Sequence, residues 1–98
     1  MLLKKLIKGL KPEYQNINIS DLCLDSRKAK KGNLFFALKG KNFDGNRYAE
    51  QAIAKGSKAI ICERTIKVKN KKIPILRVNN IRLFLGKCCK TFYQNKPK

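Results

Sequence analysis

The residues best suited to chemistry lie in two short polar segments that flank one apolar run. Asp25, Ser26 and Arg27 form the first segment, and residues 39–46, KGKNFDGN, form the second. Together they offer carboxylates, a hydroxyl, cations and glycine-rich backbone, which suit the binding of an anionic or polar ligand. The same residue types also build ordinary turns, in which Asp caps helices and Gly shapes the chain. Local chemistry alone leaves both interpretations open.

Complete catalytic constellations are missing from the sequence. The chain contains no His, so neither a Ser-His nor a Cys-His pair can form. It also lacks the GxxxxGK[ST] and GxGxxG phosphate-binding motifs. Asp25 and Asp44 could act as a carboxylate pair, but Arg27 and Arg47 follow them closely, which favours salt-bridged turn residues over a general acid and base. We therefore predict no catalytic residue in this chain.

The cysteines indicate buried thiols and no metal site. Cys23 and Cys62 stand alone, Cys88 and Cys89 are adjacent, and no pair has CxxC spacing. A zinc site would need all of them to converge from three distant segments without any His. We expect the cysteines to serve as small, buried apolar side chains in a reducing compartment. We expect no metal to be bound by this chain.

The chain is small, globular and strongly basic. It has 98 residues, 43% of them hydrophobic, and its 24 Lys and Arg against 6 Asp and Glu give a formal net charge of +18. Such a charge attracts anionic ligands. Nucleic-acid binding is an alternative, but 19 of the cations are Lys, they are spread along the whole sequence, and base recognition favours Arg. We therefore expect no nucleic-acid partner.

No part of the sequence predicts contact with a membrane. The apolar runs are too short to span a bilayer, and MLLKKLIKGL lacks the apolar core and cleavage site of a signal peptide. Residues 2–10 show helical spacing, which favours a helix packed on the domain over one that lies on a membrane surface. We expect a cytoplasmic protein without a membrane partner.

Hydrophobic periodicity predicts alternating helices and strands around the two polar segments. Gly56 suits a left-handed turn after a helix, and Asn79 or Asn80 can cap the last helix. The basic segment 64–72 is expected to be a hairpin or an exposed loop, and 28–33 a turn. Helices are predicted at 2–10, 47–55 and 81–93, and strands at 34–38, 58–63 and 73–78, with a broken strand at 17–25.

These elements predict an α/β fold. Strand 34–38, helix 47–55 and strand 58–63 form one right-handed parallel βαβ unit. The whole chain is expected to form a small mixed sheet of about four to five strands with about three helices. Loop 39–46 connects a strand to a helix N-terminus, a place where α/β proteins bind phosphate. Because Ser26 follows the preceding strand, the two polar segments could converge on one crevice.

Several short motifs occur in a fixed order between residues 25 and 63. They are Asp25-Ser26-Arg27, Gly32, Leu34-Phe35, Ala37, Gly40, Asp44-Gly45, Ala52, Gly56 and Ala59. This series resembles the N-terminal domain of the Mur ligases, the enzymes that build the peptidoglycan peptide on UDP-N-acetylmuramic acid. The resemblance covers residues 20–63 closely. The first helix and the tail FYQNKPK are most similar to the MurE branch, and the MurF branch is the close alternative.

The resemblance implies that this domain holds the UDP part of the substrate. Leu24 and Ser26 would lie against the uridine diphosphate. The loop Lys41, Asn42 and Phe43 would contact the nucleotide from the other side. The residues that would shape the site are Asp25, Arg27, Gly40, Asp44 and Gly45.

The resemblance also implies a larger enzyme. Residues 1–93 would form the UDP-sugar-binding domain, and residues 94–98 a linker toward a missing ATP-binding domain. The full enzyme would activate the D-glutamate carboxylate of UDP-MurNAc-L-Ala-D-Glu as an acyl phosphate. It would then add diaminopimelate or lysine, with ATP and Mg2+ held outside this chain, so the chain alone would not be catalytic.

Two positions depart from the family pattern. Asn46 stands where the family often has His, and Ser57 where it usually has Ala. Neither is a catalytic position, so the implied fold is unaffected.

Two alternatives to a MurE-type domain stay open. They are a MurF-type domain of a ligase that adds D-Ala-D-Ala, or a stand-alone basic module that binds UDP-sugars or nucleic acid.

Overall fold

Four parallel strands form the centre of the fold. A computed structural model of the chain describes residues 1–38, 45–70 and 72–94. A 3-10 helix, Ser26–Lys28, follows the first strand. The strands are adjacent in chain order and comprise β1 (Asp21–Cys23), β2 (Asn33–Phe36), β3 (Ala59–Cys62) and β4 (Ile75–Arg77). The α-helices are α1 (Leu3–Leu6), α2 (Pro12–Gln15), α3 (Gly45–Ala54) and α4 (Ile81–Gln94). The predicted α/β class is confirmed.

Successive residues of the central strands face opposite sides of the sheet. Phe35 and Ile60 pack on one side, together with Ala52 of α3. Phe36 and Ile61 pack on the other side, against α1 and α4. All residues of β2 and β3 are buried, as expected for a parallel strand covered on both faces. The apolar run that separates the two polar segments is therefore the middle of a three-layer core.

The predicted βαβ unit is confirmed. β2 and β3 are parallel neighbours, with Leu34 opposite Ala59 and Phe36 opposite Ile61, and α3 connects them. Gly56 ends the helical segment with a φ of 109°, a left-handed value that side chains other than Gly rarely adopt. The hydrophobic periodicity of the sequence thus correctly predicted the helix and the strand that follow the second polar segment.

The prediction of a sheet with mixed strand directions is wrong for these strands, because all of their pairings are parallel. In its described residues, segment 64–72 forms neither the hairpin that would have reversed the chain nor a fully exposed loop. Ile66 and Val68 are buried against the α3 side of the sheet, so this segment crosses over and lets β4 run parallel to β3. In the described part of the chain, antiparallel pairing occurs at the isolated bridge between Leu2 and Asn18.

The predicted single helix at 2–10 is also wrong. α1 ends at Leu6, Gly9 adopts a φ of 77°, and α2 begins at Pro12. Proline fits the first turn of a helix because its missing N–H would have no partner there. The chain turns because the amino-terminal residues pair with segment 17–19, where the Ile19 N–H donates to the Met1 carbonyl at 2.7 Å.

α4 begins at the carboxyl end of the sheet with two side-chain caps. The Leu83 N–H donates to Oδ1 of Asn80 at 3.0 Å, which confirms the predicted cap. The Ile81 N–H donates to Oε2 of Glu63 at 3.1 Å, a second cap that the periodicity did not reveal. α4 continues to Gln94, one residue into the predicted linker. Within the described residues, no helix is both long enough and apolar enough to cross a membrane.

Candidate functional site

The candidate site lies where the carboxyl ends of β1 and β2 meet. Parallel pairing places these two ends at the same edge of the sheet. Residues 24–28 follow β1 there, and residues 37 and 38 follow β2 before the undescribed segment 39–44. α3 begins directly afterwards, at Gly45. The structure thus brings the first polar segment beside the entry to the second, as the topology predicted.

Leu24 presents an exposed apolar side chain at this edge. It is 51% exposed and follows a strand whose last residue, Cys23, is buried. Among the described residues the other exposed large apolar side chains are Leu83 and Tyr93, both on α4. An apolar side chain that is exposed beside polar groups is better placed to pack against the flat face of a base or a sugar ring than to fill the core.

A groove of about 690 Å³ runs along β1 and includes Leu24. Its floor comes from residues 20–25, and lysine side chains flank it. The lining thus combines apolar surface with three lysines and the carboxylates of Asp21 and Asp25, the second of which is paired with Arg27. Its net charge is positive, which suits a ligand that carries a ring at one end and phosphates at the other. The remaining lining residues are Lys28, Lys30, Lys31 and Asn33.

Asp25 and Arg27 stabilise the turn after β1. The Asp25 carboxylate accepts from the Arg27 backbone N–H at 3.0 Å and from its guanidinium at 3.0 and 3.1 Å. These hydrogen bonds hold the pKa of Asp25 below its ordinary value. A carboxylate that stays ionised and bound to a neighbour is a poor general acid. The salt-bridged turn predicted for this pair is confirmed.

Ser26 does not point its hydroxyl proton at the groove. The side chain is 4% exposed, and its Oγ donates to Oε1 of Gln51 on α3. A serine hydroxyl has one proton, so Ser26 could offer a ligand only its acceptor lone pairs. Such an acceptor suits an N–H or O–H of a nucleoside better than a phosphate oxygen. Gln51, which fixes this geometry, was not singled out by the sequence patterns.

The other predicted contact residues lie largely outside the described residues. These are the proposed nucleotide contacts Lys41, Asn42 and Phe43 and the site-shaping Gly40 and Asp44. Gly45 is the first residue of α3. The geometry of this half of the predicted site therefore remains a prediction.

The first turns of α3 are joined to the crossover segment. The Lys67 N–H donates to Oδ1 of Asn46 at 3.0 Å, and the Lys69 N–H donates to Oε1 of Glu50 at 2.9 Å. These two acceptors are four residues apart on one face of the helix, a spacing that could have revealed them. They lie in a hollow of about 590 Å³ that Arg47 also lines, beside the start of α3.

The cysteines lie in the core as the sequence predicted. Cys23, Cys62 and Cys88 are buried, Cys89 is partly exposed, and all are free thiols. Burial raises the pKa of the first three, that of Cys88 to about 11. Within the described residues, no three side chains of the His, Cys, Asp or Glu type are grouped as a metal site would require.

We expect the buried Cys88 thiol to destabilise the fold at high pH. Below about pH 8.5, the ordinary thiol pKa, both folded and unfolded states hold the proton, so the stability is fully present. As pH rises toward 11, the unfolded thiol ionises while the folded one resists. Near pH 10.5, unfolding should therefore become easier by about 2 kcal/mol from this residue alone.

Urea unfolding of the wild type and of Cys88→Ala, each at about pH 8 and at about pH 10.5, would check this expectation. The variant removes the titrating thiol, so its stability should change less between about pH 8 and 10.5. Deprotonation of lysines affects both proteins equally and cancels in the difference. Parallel pH profiles for the two proteins would contradict the expectation.

Comparison with known proteins identifies the family. Residues 18–93 match the profile described as "Mur ligase family, catalytic domain". The chain is 39% identical to the UDP-N-acetylmuramoyl-L-alanyl-D-glutamate–2,6-diaminopimelate ligase of Caldanaerobacter subterraneus, over 97% of this chain and 20% of that protein. It is 36% identical to the ligase of the same name from Clostridium tetani, over 100% of this chain and 21% of that one.

Solved structures of related ligases share the fold. MurF ligase from Thermotoga maritima in complex with ADP has a TM-score of 0.62 and 29% identity, over 88% of this chain and 18% of that one. MurF from Acinetobacter baumannii has a TM-score of 0.57 and 39% identity, over 70% of this chain and 15% of that one. The chain spans about a fifth of the length of the curated relatives. On this evidence the chain belongs to the Mur ligase family.

Proposed function

We propose that this chain is the N-terminal, UDP-MurNAc-peptide-binding domain of a cytoplasmic, MurE-type ligase. The exposed Leu24 at the carboxyl edge of the sheet, in a groove flanked by lysines, is the observation that carries the proposal. The names of the relatives from Caldanaerobacter and Clostridium support a UDP-MurNAc-L-Ala-D-Glu substrate and a diamino acid as the second reactant. The domain would comprise residues 1–93, followed by a linker to the rest of the enzyme.

The nucleotide would lie between the two polar segments. Leu24 would pack against the uracil or the ribose, and the acceptor lone pairs of Ser26 would face a nucleoside N–H or O–H group. Lys41 would attract the diphosphate from loop 39–44, with Phe43 against the base and Asn42 beside it. The ion pair of Asp25 with Arg27 keeps the turn after β1 in place. Gly40, Asp44 and Gly45 would shape the opposite loop.

The ligation chemistry would reside in the rest of the proposed enzyme. ATP and Mg2+ would take part in the full reaction, but the residues of this chain do not fit them. The sequence has no GxxxxGK[ST] motif, and the described residues hold no cluster of acidic ligands. This domain would therefore bind and orient the UDP-sugar while the acyl transfer takes place elsewhere.

A MurF-type domain is the second candidate. The two solved structures reported above are MurF enzymes, one of them 39% identical to this chain. Such an enzyme would take a UDP-MurNAc-tripeptide and add D-Ala-D-Ala. Both candidates use the same nucleotide site, so nucleotide binding tests them together. The sequence of the adjoining domains would separate them.

A titration series with UDP, UMP, uridine and ADP tests the proposal on the 98-residue chain. UDP should bind more tightly than UMP, and UMP more tightly than uridine, by roughly tenfold for each phosphate removed. ADP should bind at least about tenfold more weakly than UDP, because it carries the same phosphates on another base. Equal affinities for UDP and ADP, or no binding by the folded chain, would overturn the proposal.

Substitution of Lys41 tests the predicted role of the undescribed loop. Lys41→Ala should weaken UDP binding about tenfold, since it removes one charge-assisted contact to phosphate. Lys87→Ala is the matched control, because Lys87 is an exposed lysine on α4. It removes the same charge from another part of the molecule. Equal losses in the two variants would mean diffuse attraction by the net charge.

A further inference from the structure

Two lysine-rich segments form one continuous surface before β2 and β3. They are residues 27–33, RKAKKGN, and residues 55–58, KGSK. The Gly32 N–H donates to the Gly56 carbonyl at 2.8 Å, which joins the segments directly. At Gly56 an added Cβ would lie 2.6 Å from the Cα of Lys31, so the two backbones are in close contact. We call this surface the lysine platform.

The platform is held in place by buried polar groups. The Asn33 carbonyl accepts from the Lys58 N–H and from the Ser57 hydroxyl, each at 2.9 Å. The Asn33 side chain accepts from the Lys30 N–H at 2.9 Å and donates to Ser20. Asn33 and Ser57 are both buried. The lysines therefore project from a backbone of defined shape.

Most of the platform cations are not used by the fold. Arg27 is paired with Asp25, and the ammonium of Lys55 donates to the Arg27 carbonyl at 2.7 Å. The other four side chains are exposed, and in the described part of the chain no hydrogen bond or ion pair engages their ammonium groups. These four are Lys28, Lys30, Lys31 and Lys58.

The chemistry of the platform selects among polyanionic partners. It contains no aromatic side chain on which a base could stack, and its single guanidinium, that of Arg27, is already engaged by Asp25. The platform is therefore poorly suited to the bidentate hydrogen bonding by which arginine recognises bases or single phosphates. Four to eight clustered lysines are instead typical of surfaces that adsorb to anionic phospholipid headgroups.

We propose that the lysine platform docks this domain onto an anionic phospholipid surface. Lys30 and Lys31 precede β2 and Lys58 precedes β3, whereas Leu24 follows the carboxyl end of β1. Lys28, Lys30 and Lys31 also line the groove along β1, so the platform borders one end of the candidate nucleotide site. Docking by the platform would therefore leave Leu24 and the carboxyl edge of the sheet away from the bilayer, while the lysines that it uses would not at the same time serve a ligand in the groove. The sequence alone predicted no membrane partner, because it has neither an apolar span nor a signal peptide. Only the fold brings the lysines of the two segments together.

Vesicle sedimentation of the 98-residue chain tests this proposal. Vesicles of phosphatidylcholine alone should bind little, and those with about one-third phosphatidylglycerol should bind strongly at about 0.1 M salt. The variant Lys30→Gln, Lys31→Gln, Lys58→Gln should lose about 100-fold in partition coefficient, at about fivefold for each lysine near the surface. Binding should also weaken steeply as salt is added.

A matched control separates the platform from the net charge. Lys67→Gln, Lys69→Gln, Arg82→Gln removes the same charge from exposed positions elsewhere and should change binding less than about threefold. The charge-preserving variant Lys30→Arg, Lys31→Arg, Lys58→Arg should bind as the wild type does. Equal losses in the two glutamine variants, or no preference for anionic vesicles, would overturn the proposal. Tighter binding to duplex DNA at the same salt, lost in the platform variant, would instead make nucleic acid the partner.

Discussion

Replacing Leu24 by aspartate is expected to weaken UDP binding about 100-fold. The change removes an apolar contact worth about 1–2 kcal/mol. It also places a carboxylate near the diphosphate, which costs about 1 kcal/mol or more in a partly solvated groove. Leu24 is the most exposed large apolar side chain outside α4 among the described residues, so the fold itself should tolerate the change. Isothermal titration of the 98-residue chain with UDP measures the effect.

Leu83→Asp is the control for this experiment. Leu83 is 59% exposed and lies on α4, so the substitution changes the charge by the same amount at a similarly exposed leucine. UDP binding should fall by less than about threefold, since Leu83 does not line the groove and salt screens exposed charges. If Leu83→Asp weakens binding as much as Leu24→Asp, the groove along β1 is not the nucleotide site.

Replacing Gly56 by alanine is expected to lower the free energy of unfolding by about 3 kcal/mol. Two penalties combine at this position. The φ of 109° is unfavourable for a residue with a Cβ, and the new atom would lie 2.6 Å from the Cα of Lys31. A backbone atom cannot move aside as the end of a flexible side chain can. Urea denaturation followed by circular dichroism gives the change in stability.

Gly86→Ala makes the same change of side chain, but here we expect the free energy of unfolding to rise. Gly86 lies inside α4, and no heavy atom outside its own helix stands within 4 Å of an added Cβ. Alanine there should raise the stability by about 0.5–1 kcal/mol, because glycine is a poor helix former. A loss of stability in Gly86→Ala, or a neutral Gly56→Ala, would contradict the surroundings described for the two glycines.

The core of the fold was accessible from the sequence because its signals are local. The apolar run at 34–38, the period of the following helix and Gly56 are contiguous, and together they predict a βαβ unit that the structure contains. Asn80 was found as a cap for the same reason, since its partner Leu83 lies three residues away. Local sequence patterns therefore specify elements whose partners are close along the chain.

The errors arose where a distant partner decides the conformation. Residues 2–10 have helical spacing, yet pairing of the amino terminus with segment 17–19 limits α1 to one turn. Segment 66–69 alternates apolar and basic residues as a hairpin strand does. It becomes a crossover because Asn46 and Glu50 accept its N–H groups while Ile66 and Val68 enter the core. Neither outcome can be predicted from the residues of the segment alone.

The sequence by itself determined the fold class, the βαβ unit and, through its ordered motifs, the family and the residues proposed for UDP binding. Those properties depend on residue type and spacing. Only the tertiary structure decided that all four strands are parallel, that Leu24 is exposed while Ser26 is turned toward Gln51, and that Lys31 lies against Gly56. Exposure, hydrogen-bond partners and the grouping of charges depend on which distant segments meet when the core closes, because burial and electrostatic interactions act through space and not along the chain.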